Sequence, residues 1–391
     1  MDYFQASLEL HKLHKGKIEV QPKVPVDTTD DLATVYSPGV AAPCEQIAAN
    51  PDSVYEYTIK ANTVAVVSDG SAVLGLGNIG ALAAIPVMEG KAMLFKKFAG
   101  IDAFPICLNT QDADEIVRTI RHIAPVFGGI NLEDIAAPRS FEIEERLQDL
   151  GIPVFHDDQH GTAIVVLAAL INAAKVLGRD INDFCIVING AGAAGVAIAK
   201  LLKGINLENP AISVNDVILC DRNGVLHRSR TDLNASKLAA LAFTNRDNQK
   251  GGLRDALRGA DVFIGVSSAN VLEADDIRTM APDPIVLALA NPIPEIMPAD
   301  ALAGGAAIVG TGRSDLPNQV NNVLGFPGVF RGALDARAPR INAPMKLAAA
   351  LAIANCVDKP RHDFIIPASL DRHVAECVAA AVFNAAKESG Y

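Results

Sequence analysis

The 391-residue chain contains no tryptophan, few aromatic residues (5%) and only six cysteines, none in C-x-x-C spacing. Cysteines scattered in this way argue against a disulfide framework or a structural zinc site, and we expect buried thiols instead. No apolar run in the sequence approaches the length of roughly 20 residues that a membrane span requires. The N-terminus also lacks the order of a signal peptide, in which basic residues precede an apolar stretch. These absences favour a cytoplasmic protein without a membrane partner.

Net charge and length narrow the class of protein further. The formal net charge of −11 argues against a nucleic acid partner, although an acidic chain can still carry a local basic pocket for an acidic small molecule. The chain is half hydrophobic and long enough for two domains that bury about three quarters of their unfolded surface. We therefore expect a globular two-domain protein.

A glycine-rich segment, residues 184–202, predicts a dinucleotide-binding turn between a buried strand and a helix. In the pattern G-x-G-x-x-G, the first glycine allows a tight turn and the second lets a pyrophosphate approach the backbone. The third lets helix and strand pack closely, and the helix N-terminus offers unpaired N–H groups. The alternative is an ordinary strand–helix crossover with packing glycines. The predicted cofactor-binding residues are Gly190, Gly192, Ala193, Ala194 and Gly195.

The next apolar run, residues 217–220, ends in Asp221, about where such folds bind the adenosine ribose. A carboxylate there accepts a hydrogen bond from the ribose 2′-hydroxyl and repels a 2′-phosphate, so we expect NAD to be preferred over NADP. Arg222 offers the alternative, because its guanidinium could neutralise that phosphate. On this interpretation, Asp221→Ala narrows the difference in kcat/KM between NAD⁺ and NADP⁺.

A second glycine cluster, residues 75–80, also has G-x-G-x-x-G spacing. It starts seven residues after its strand, at 64–67, and the following strand ends in Asn109 and not in an acid. We interpret this cluster as a close-packed loop that lines a site.

Alternating apolar runs and helix-length stretches predict an α/β fold. Residues 161–325 are predicted to form a Rossmann-like doubly wound parallel sheet, and residues 341–391 a helical tail. Residues 1–160 are predicted to form a separate, N-terminal mixed α/β domain that carries the substrate and the catalysis. The second domain, 161–391, would include the tail and bind NAD(P).

Two acidic pairs, Glu133-Asp134 and Asp157-Asp158, follow short apolar runs. Strand ends are where ligands collect in open α/β sheets, and converging carboxylates suit Mg²⁺ or Mn²⁺. The segment from His156 to His160 offers a rival interpretation as a zinc-hydrolase motif, which needs both histidines on one helical face. We expect the helix to open at Gly161, which leaves both histidines in the preceding loop.

Taken together, the ordered motifs resemble the malic enzymes, in the short form found in bacteria and some protists. The resemblance spans nearly the whole chain. It implies oxidative decarboxylation of L-malate to pyruvate and CO₂, with reduction of NAD⁺ or NADP⁺ and dependence on Mg²⁺ or Mn²⁺. Besides the glycine turn, the motifs that carry it are residues 34–41 (TVYSPGVA), 68–70 (SDG), 75–78 (GLGN), 86–91 (PVMEGK), 131–135 (NLEDI), 155–162 (FHDDQHGT), 290–292 (ANP) and 321–328 (NNVLGFPG).

The resemblance also implies roles for single residues. Lys91 would be the general base, and Tyr36 the acid that protonates C3 of enolpyruvate. Ala72 departs from the longer malic enzymes, which carry an arginine there for the substrate carboxylate. The remaining implied roles are metal binding by Glu133, Asp134 and Asp158, a catalytic position beside the metal for Asp157, and contacts to substrate or cofactor by Asn291 and to substrate by Asn322.

Other functions stay open at this point. A malolactic-type lyase would use the same site and return the hydride to give lactate, whereas a dinucleotide sensor would keep the glycines and lose the chemistry. The sensor is disfavoured because Lys91, Tyr36 and the three carboxylates are all present. A homodimer or a higher homo-oligomer is expected.

Overall fold

The computed structural model describes residues 2–73 and 75–391 and divides them between two sheets. The first sheet has four parallel strands in the order β2-β1-β3-β4. Its central strand is buried along its whole length, as expected for a parallel strand covered by helices on both faces. The strands are β1 (Thr63–Ser68), β2 (Asp102–Cys107), β3 (Gly129–Leu132) and β4 (Val154–His156).

Seven helices precede or flank this sheet. Helix α5 ends at Gly100, whose φ of 67° provides the left-handed cap, and α6 begins at Asp112, whose carboxylate accepts from the Glu115 backbone N–H. The helices are α1 (Tyr3–His14), α2 (Thr29–Val35), α3 (Ala41–Ala49), α4 (Val54–Tyr57), α5 (Gly80–Ala99), α6 (Ala113–Ile123) and α7 (Arg139–Arg146).

The second sheet has six strands in the order β10-β9-β8-β5-β6-β7. Every pairing is parallel except β6 with β7, so the predicted doubly wound parallel sheet is confirmed. The predicted apolar run at 217–220 falls within β6, and the two-residue β7 was not predicted. The strands are β5 (Cys185–Asn189), β6 (Asp216–Asp221), β7 (Gly224–Val225), β8 (Val262–Gly265), β9 (Ile285–Ala288) and β10 (Ile308–Thr311).

One long helix, α8 (Asp157–Leu177), leads from the first sheet to the second. By length and composition it could cross a membrane, but 67% of its most apolar stretch is buried inside the protein. It is therefore a core helix. The sequence reasoning was wrong to find no apolar run of that length, and wrong to open this helix at Gly161, because four polar residues at its start disguise the first turn.

The helices after α8 complete the molecule and include the predicted helical tail. Helix α14 packs against α5, and α15 packs against both α8 and α16. Phe95 of α5 meets Phe326 and Phe330 of α14, with ring centroids 4.8 and 5.3 Å apart. The division into domains 1–160 and 161–391 stays a prediction. The helices are α9 (Ala193–Leu202), α10 (Ala235–Ala240), α11 (Leu253–Leu257), α12 (Ala274–Ile277), α13 (Pro298–Ala303), α14 (Phe326–Ala336), α15 (Ala343–Asn355) and α16 (Arg372–Glu388).

Candidate active site

The carboxyl ends of β3 and β4 bring the two acidic pairs together. Glu133 and Asp134 follow β3 directly, and Asp157 and Asp158 open α8 directly after β4. Because β3 and β4 are hydrogen-bonded neighbours in parallel, their ends lie at the same edge of the sheet. Lys91 reaches this edge from the middle of α5.

Lys91 lies at the centre of the acidic cluster, with its side chain only 8% exposed. Its Nζ is 2.6 Å from Asp157 Oδ2, 2.8 Å from Glu133 Oε1 and 4.1 Å from the centroid of the Phe326 ring. Burial lowers the pKa of Lys91, but the charges of Asp157 and Glu133 outweigh burial and raise that pKa above its usual value. A general base needs a lowered pKa, so a role of Lys91 as the base requires a partner that takes its proton.

Asp157 is fully buried and links Lys91 to the second half of the chain. Its Oδ2 also accepts a hydrogen bond from Asn322 Nδ2 at 2.6 Å. Burial raises the pKa of Asp157 to about 7, even with Lys91 beside it. Asn322 therefore lies in the site, and its amide is engaged by this carboxylate.

Glu133, Asp134 and Asp158 each place one carboxylate oxygen so that all three oxygens lie within 4.8 Å of one another. Two oxygens on one Mg²⁺, Mn²⁺ or Ca²⁺ ion can be no more than about 4 to 5 Å apart, so this spacing fits one hard cation. Burial raises the pKa of Glu133, and raises that of Asp158 to about 6, which means that their negative charges are poorly solvated here. A divalent cation would relieve that cost.

The two histidines next to these carboxylates lie outside the candidate metal-binding group, although His156 Nδ1 is 3.9 Å from Asp158 Oδ2. His156 ends β4, and His160 lies in the first turn of α8, where its Nε2 is 2.9 Å from Glu144 Oε2. Within the part of the chain that the structure describes, the candidate metal-binding group of three contains neither histidine. The geometry gives the zinc-hydrolase interpretation no support.

The glycine turn has the geometry that its spacing predicts. Gly190 adopts a φ of +121°, and a Cβ on Gly195 would lie 2.0 Å from the Gly190 carbonyl oxygen, so both positions exclude side chains. Around Gly192 there is open space, because a Cβ there would meet no atom within 4 Å. Ala193 and Ala194 open α9, whose N-terminus faces a cleft of about 850 Å³ that continues to Asp221. That size suits a dinucleotide.

Asp221 ends β6 as predicted, but its carboxylate is fully engaged by protein donors. One oxygen accepts from Arg230 at 2.8 Å and from the Asn223 backbone N–H at 2.9 Å, and the other accepts from Arg230 at 3.1 Å and Lys237 at 2.5 Å. A carboxylate has about four acceptor positions, so none remains for a ribose hydroxyl. This arrangement argues against the expected hydrogen bond from a ribose 2′-hydroxyl to Asp221. Arg222 and Lys237 both line the cleft.

Tyr36 and Asn291 are less closely joined to the acidic cluster. Tyr36 is the C-cap of α2 and is 67% exposed, whereas Lys91 is buried. Asn291 is exposed, and its backbone packs against the second glycine cluster, because a Cβ on Gly75 would lie 2.6 Å from the Asn291 carbonyl oxygen. This contact is confined to Gly75. A Cβ on Gly77 or Gly80 would meet no atom within 4 Å, and residues 75–78 are exposed, so the prediction of a close-packed loop is wrong for most of the cluster.

Some residues that shape the site carried no sequence signal. Arg139 contacts the buried carboxylate of Asp69 at 2.7 Å and the Ser71 hydroxyl at 2.9 Å, next to Ala72. The Ala72 N–H donates to the Asp134 carbonyl oxygen at 2.9 Å, so this segment is tied to the acidic cluster. Nothing in the spacing of these residues predicts such contacts.

Comparison with known proteins links both halves of the chain to one family. The family model described as "Malic enzyme, N-terminal domain" matches residues 15–148, and "Malic enzyme, NAD binding domain" matches residues 159–387. Together the two matches cover most of the chain.

Individual relatives agree with the family models. The bifunctional malic/malolactic enzyme of Bacillus subtilis (strain 168) is 55% identical over 100% of this chain and 94% of the relative. The NADP-dependent malic enzyme of Rhizobium meliloti (strain 1021) is 49% identical over 99% of this chain, which spans 52% of that longer relative. The crystal structure of the NAD-dependent malic enzyme of Thermotoga maritima superposes with a TM-score of 0.92, at 48% identity over 96% of this chain and 98% of that chain.

Proposed function

The chain belongs to the malic enzyme family, and from that premise we propose that it converts L-malate to pyruvate and CO₂ while reducing NAD⁺ or NADP⁺. The observation that supports this best is the cluster of Lys91 and buried carboxylates at the ends of β3 and β4, which suits an anionic, metal-chelating substrate. Oxaloacetate, the oxidised form of malate, should be decarboxylated at the same site.

The reaction requires a base at the C2 hydroxyl of malate while hydride leaves C2 for the nicotinamide. A protonated Lys91 cannot accept that proton, but its Nζ lies 2.6 Å from Asp157, whose pKa is about 7. Lys91 can therefore pass a proton to Asp157 Oδ2 and then take the hydroxyl proton as a neutral amine. Asn322 donates to the same oxygen and holds Asp157 in line with Lys91.

Glu133, Asp134 and Asp158 are the residues that would hold Mg²⁺ or Mn²⁺. When bound, such an ion would supply Lewis-acid polarisation of the C2 oxygen and charge stabilisation for the enolate left when CO₂ departs. Its positive charge would also offset that of Glu133, one of the two carboxylates that keep Lys91 protonated.

Tyr36 would give the final proton to C3, and we propose that it does so in a second copy of the chain. Tyr36 belongs to an N-terminal segment, residues 2–62, in which no residue is buried. The segment exposes many apolar side chains, among them Phe4 at 81% and Leu13 at 76% exposure. An apolar surface of this extent is characteristic of an interface, so a homodimer that shares Tyr36 would account for both observations.

The cleft supports NADP⁺ as the preferred cofactor, contrary to the expectation from the sequence. Asp221 cannot select a ribose hydroxyl, since Arg230 and Lys237 occupy its acceptor positions. Arg222 and Lys237 instead offer positive charge along the cleft where a 2′-phosphate would lie.

One assay tests the proposed function. Malate, Mn²⁺ and either nucleotide are added to the purified chain, NAD(P)H absorbance is followed, and the product is identified by chromatography. Pyruvate formed with stoichiometric NAD(P)H is the expected result. The second candidate, a malolactic activity, is favoured by the similarity to the bifunctional malic/malolactic enzyme of Bacillus subtilis, and lactate without net NADH would establish it instead.

A further inference from the structure

The Glu144 carboxylate, on α7, is only 12% exposed and bridges the two ends of the segment that carries Asp157 and Asp158. Its Oε1 accepts from the His156 backbone N–H at 3.1 Å, and its Oε2 lies 2.9 Å from His160 Nε2. Because a carboxylate accepts, the Nε2 of that histidine must carry the proton. The two bonds fasten the segment just before and just after the pair of aspartates.

Three elements besides α7 meet at this carboxylate. His156 comes from the end of β4, His160 from the first turn of α8, and Lys346 from α15. Burial raises the pKa of Glu144, but His160 and Lys346 outweigh burial and lower it to about 2. Glu144 is therefore an anion that tolerates burial only because its partners surround it.

The start of α8 needs such an anchor. The first N–H groups of a helix have no partner within the helix, so the position of the first turn depends on contacts outside it. Asp157 and Asp158 occupy this first turn, and their side chains must reach Lys91 and the candidate metal-binding group. A displacement of the turn would move both carboxylates together.

We propose that Glu144 is a positioning residue that holds the first turn of α8 so that Asp158 completes the cation site with Glu133 and Asp134. Glu144 belongs neither to that group of three nor to the contacts of Lys91. This inference rests on the proposed function, in which that group binds the divalent ion. Outer partners of metal ligands typically contribute about 10- to 100-fold to metal affinity.

Mn²⁺ binding to the full chain, without malate or nucleotide, tests the proposal. The electron paramagnetic resonance signal of free Mn²⁺ is titrated against wild type, Glu144→Gln and the matched control Glu145→Gln, an exposed neighbour on the same helix. We expect Glu144→Gln to weaken Mn²⁺ binding by about tenfold or more and Glu145→Gln to leave it unchanged. Equal affinity in the two variants overturns the proposal.

A second pair of variants keeps the test valid if Glu144→Gln fails to fold, which circular dichroism would reveal. His160→Gln retains a side-chain N–H for Glu144, whereas His160→Leu removes it. We expect the glutamine to rescue most of the Mn²⁺ affinity that the leucine loses, and equal affinities overturn the proposal. If wild type itself binds no Mn²⁺, the cation site of the proposed function is overturned, and this inference with it.

Discussion

Replacing Gly161 by alanine should disable the site through one methyl group. Gly161 lies in the second turn of α8, where an added Cβ would stand 1.8 Å from Asp157 Oδ1 and 2.8 Å from Asp157 Cγ. It would also lie 3.2 Å from the Cβ of Asn322. The backbone of the helix cannot yield easily, because 14 of the 21 residues of α8 are buried. The Asp157 side chain must therefore move.

The size of the effect follows from that displacement. Carbon and oxygen atoms in ordinary contact stay about 3.5 Å apart, so the carboxylate has to retreat by well over 1 Å. Such a retreat breaks the 2.6 Å contacts to Lys91 and Asn322. Misplacement of a reacting group by about 1 Å can cost on the order of 10²-fold in rate, and we expect kcat of Gly161→Ala to fall by that much or more.

The assay is malate-dependent NAD(P)H formation with Mn²⁺, with circular dichroism as the test of folding. Gly90→Ala is the matched control, since that helical glycine has its nearest neighbour, Lys17 Nζ, at an ordinary 3.4 Å from the added Cβ. We expect the control to keep near wild-type activity. A folded Gly161→Ala enzyme with unchanged kcat would refute the role assigned to the Asp157 geometry.

Further expectations concern the cation, the proton transfers and the cofactor. Asp158→Asn should abolish most Mn²⁺-dependent activity while nucleotide binding, measured by calorimetry, persists; unchanged turnover would contradict the metal assignment. Tyr36→Phe should impair decarboxylation and Lys91→Ala the redox step, each by about 10²-fold, and equal small losses in all partial reactions would argue against both roles. If Tyr36 acts in the active site of a second copy, a mixed dimer of Tyr36→Phe and Lys91→Ala should contain one intact site. Mixing the two variants under conditions that allow subunit exchange should therefore restore activity. Lys237→Ala should raise KM for NADP⁺ more than for NAD⁺, and Asp221→Ala should not raise kcat/KM for NADP⁺. A higher kcat/KM for NADP⁺ in Asp221→Ala, with no selective effect of Lys237→Ala, would indicate that Asp221 selects the cofactor.

The sequence was most informative where one local pattern determines the backbone. The strand–glycine–helix segment could be predicted closely because Gly190 and Gly195 leave no room for a Cβ, whatever the rest of the chain does. The order of strands in the first sheet was not predictable in the same way, since β1 pairs with both β2 and β3 across long connections. The start of α8 was misplaced because its first turn is made of polar residues that serve the site.

The site was predictable as a set of residues but not as a set of interactions. Asp221 stands where the motif puts it, yet its partners lie 9 and 16 residues further along, Arg230 in the connection after β7 and Lys237 on α10. Glu144 carried no signal at all, because one glutamate on an amphipathic helix is ordinarily solvated. Contacts between distant segments decide whether such a carboxylate is free, and a single sequence does not record them.

Lys91 shows why this difference matters for mechanism. The side chain alone suggests a base whose pKa must be lowered, but two buried carboxylates keep it charged. Those carboxylates are poorly solvated themselves, so Asp157 can hold a proton near neutral pH. In the proposed mechanism, the basic group is therefore the pair of Lys91 and Asp157, which are joined by a 2.6 Å contact, and Asp157 receives the proton that Lys91 must lose.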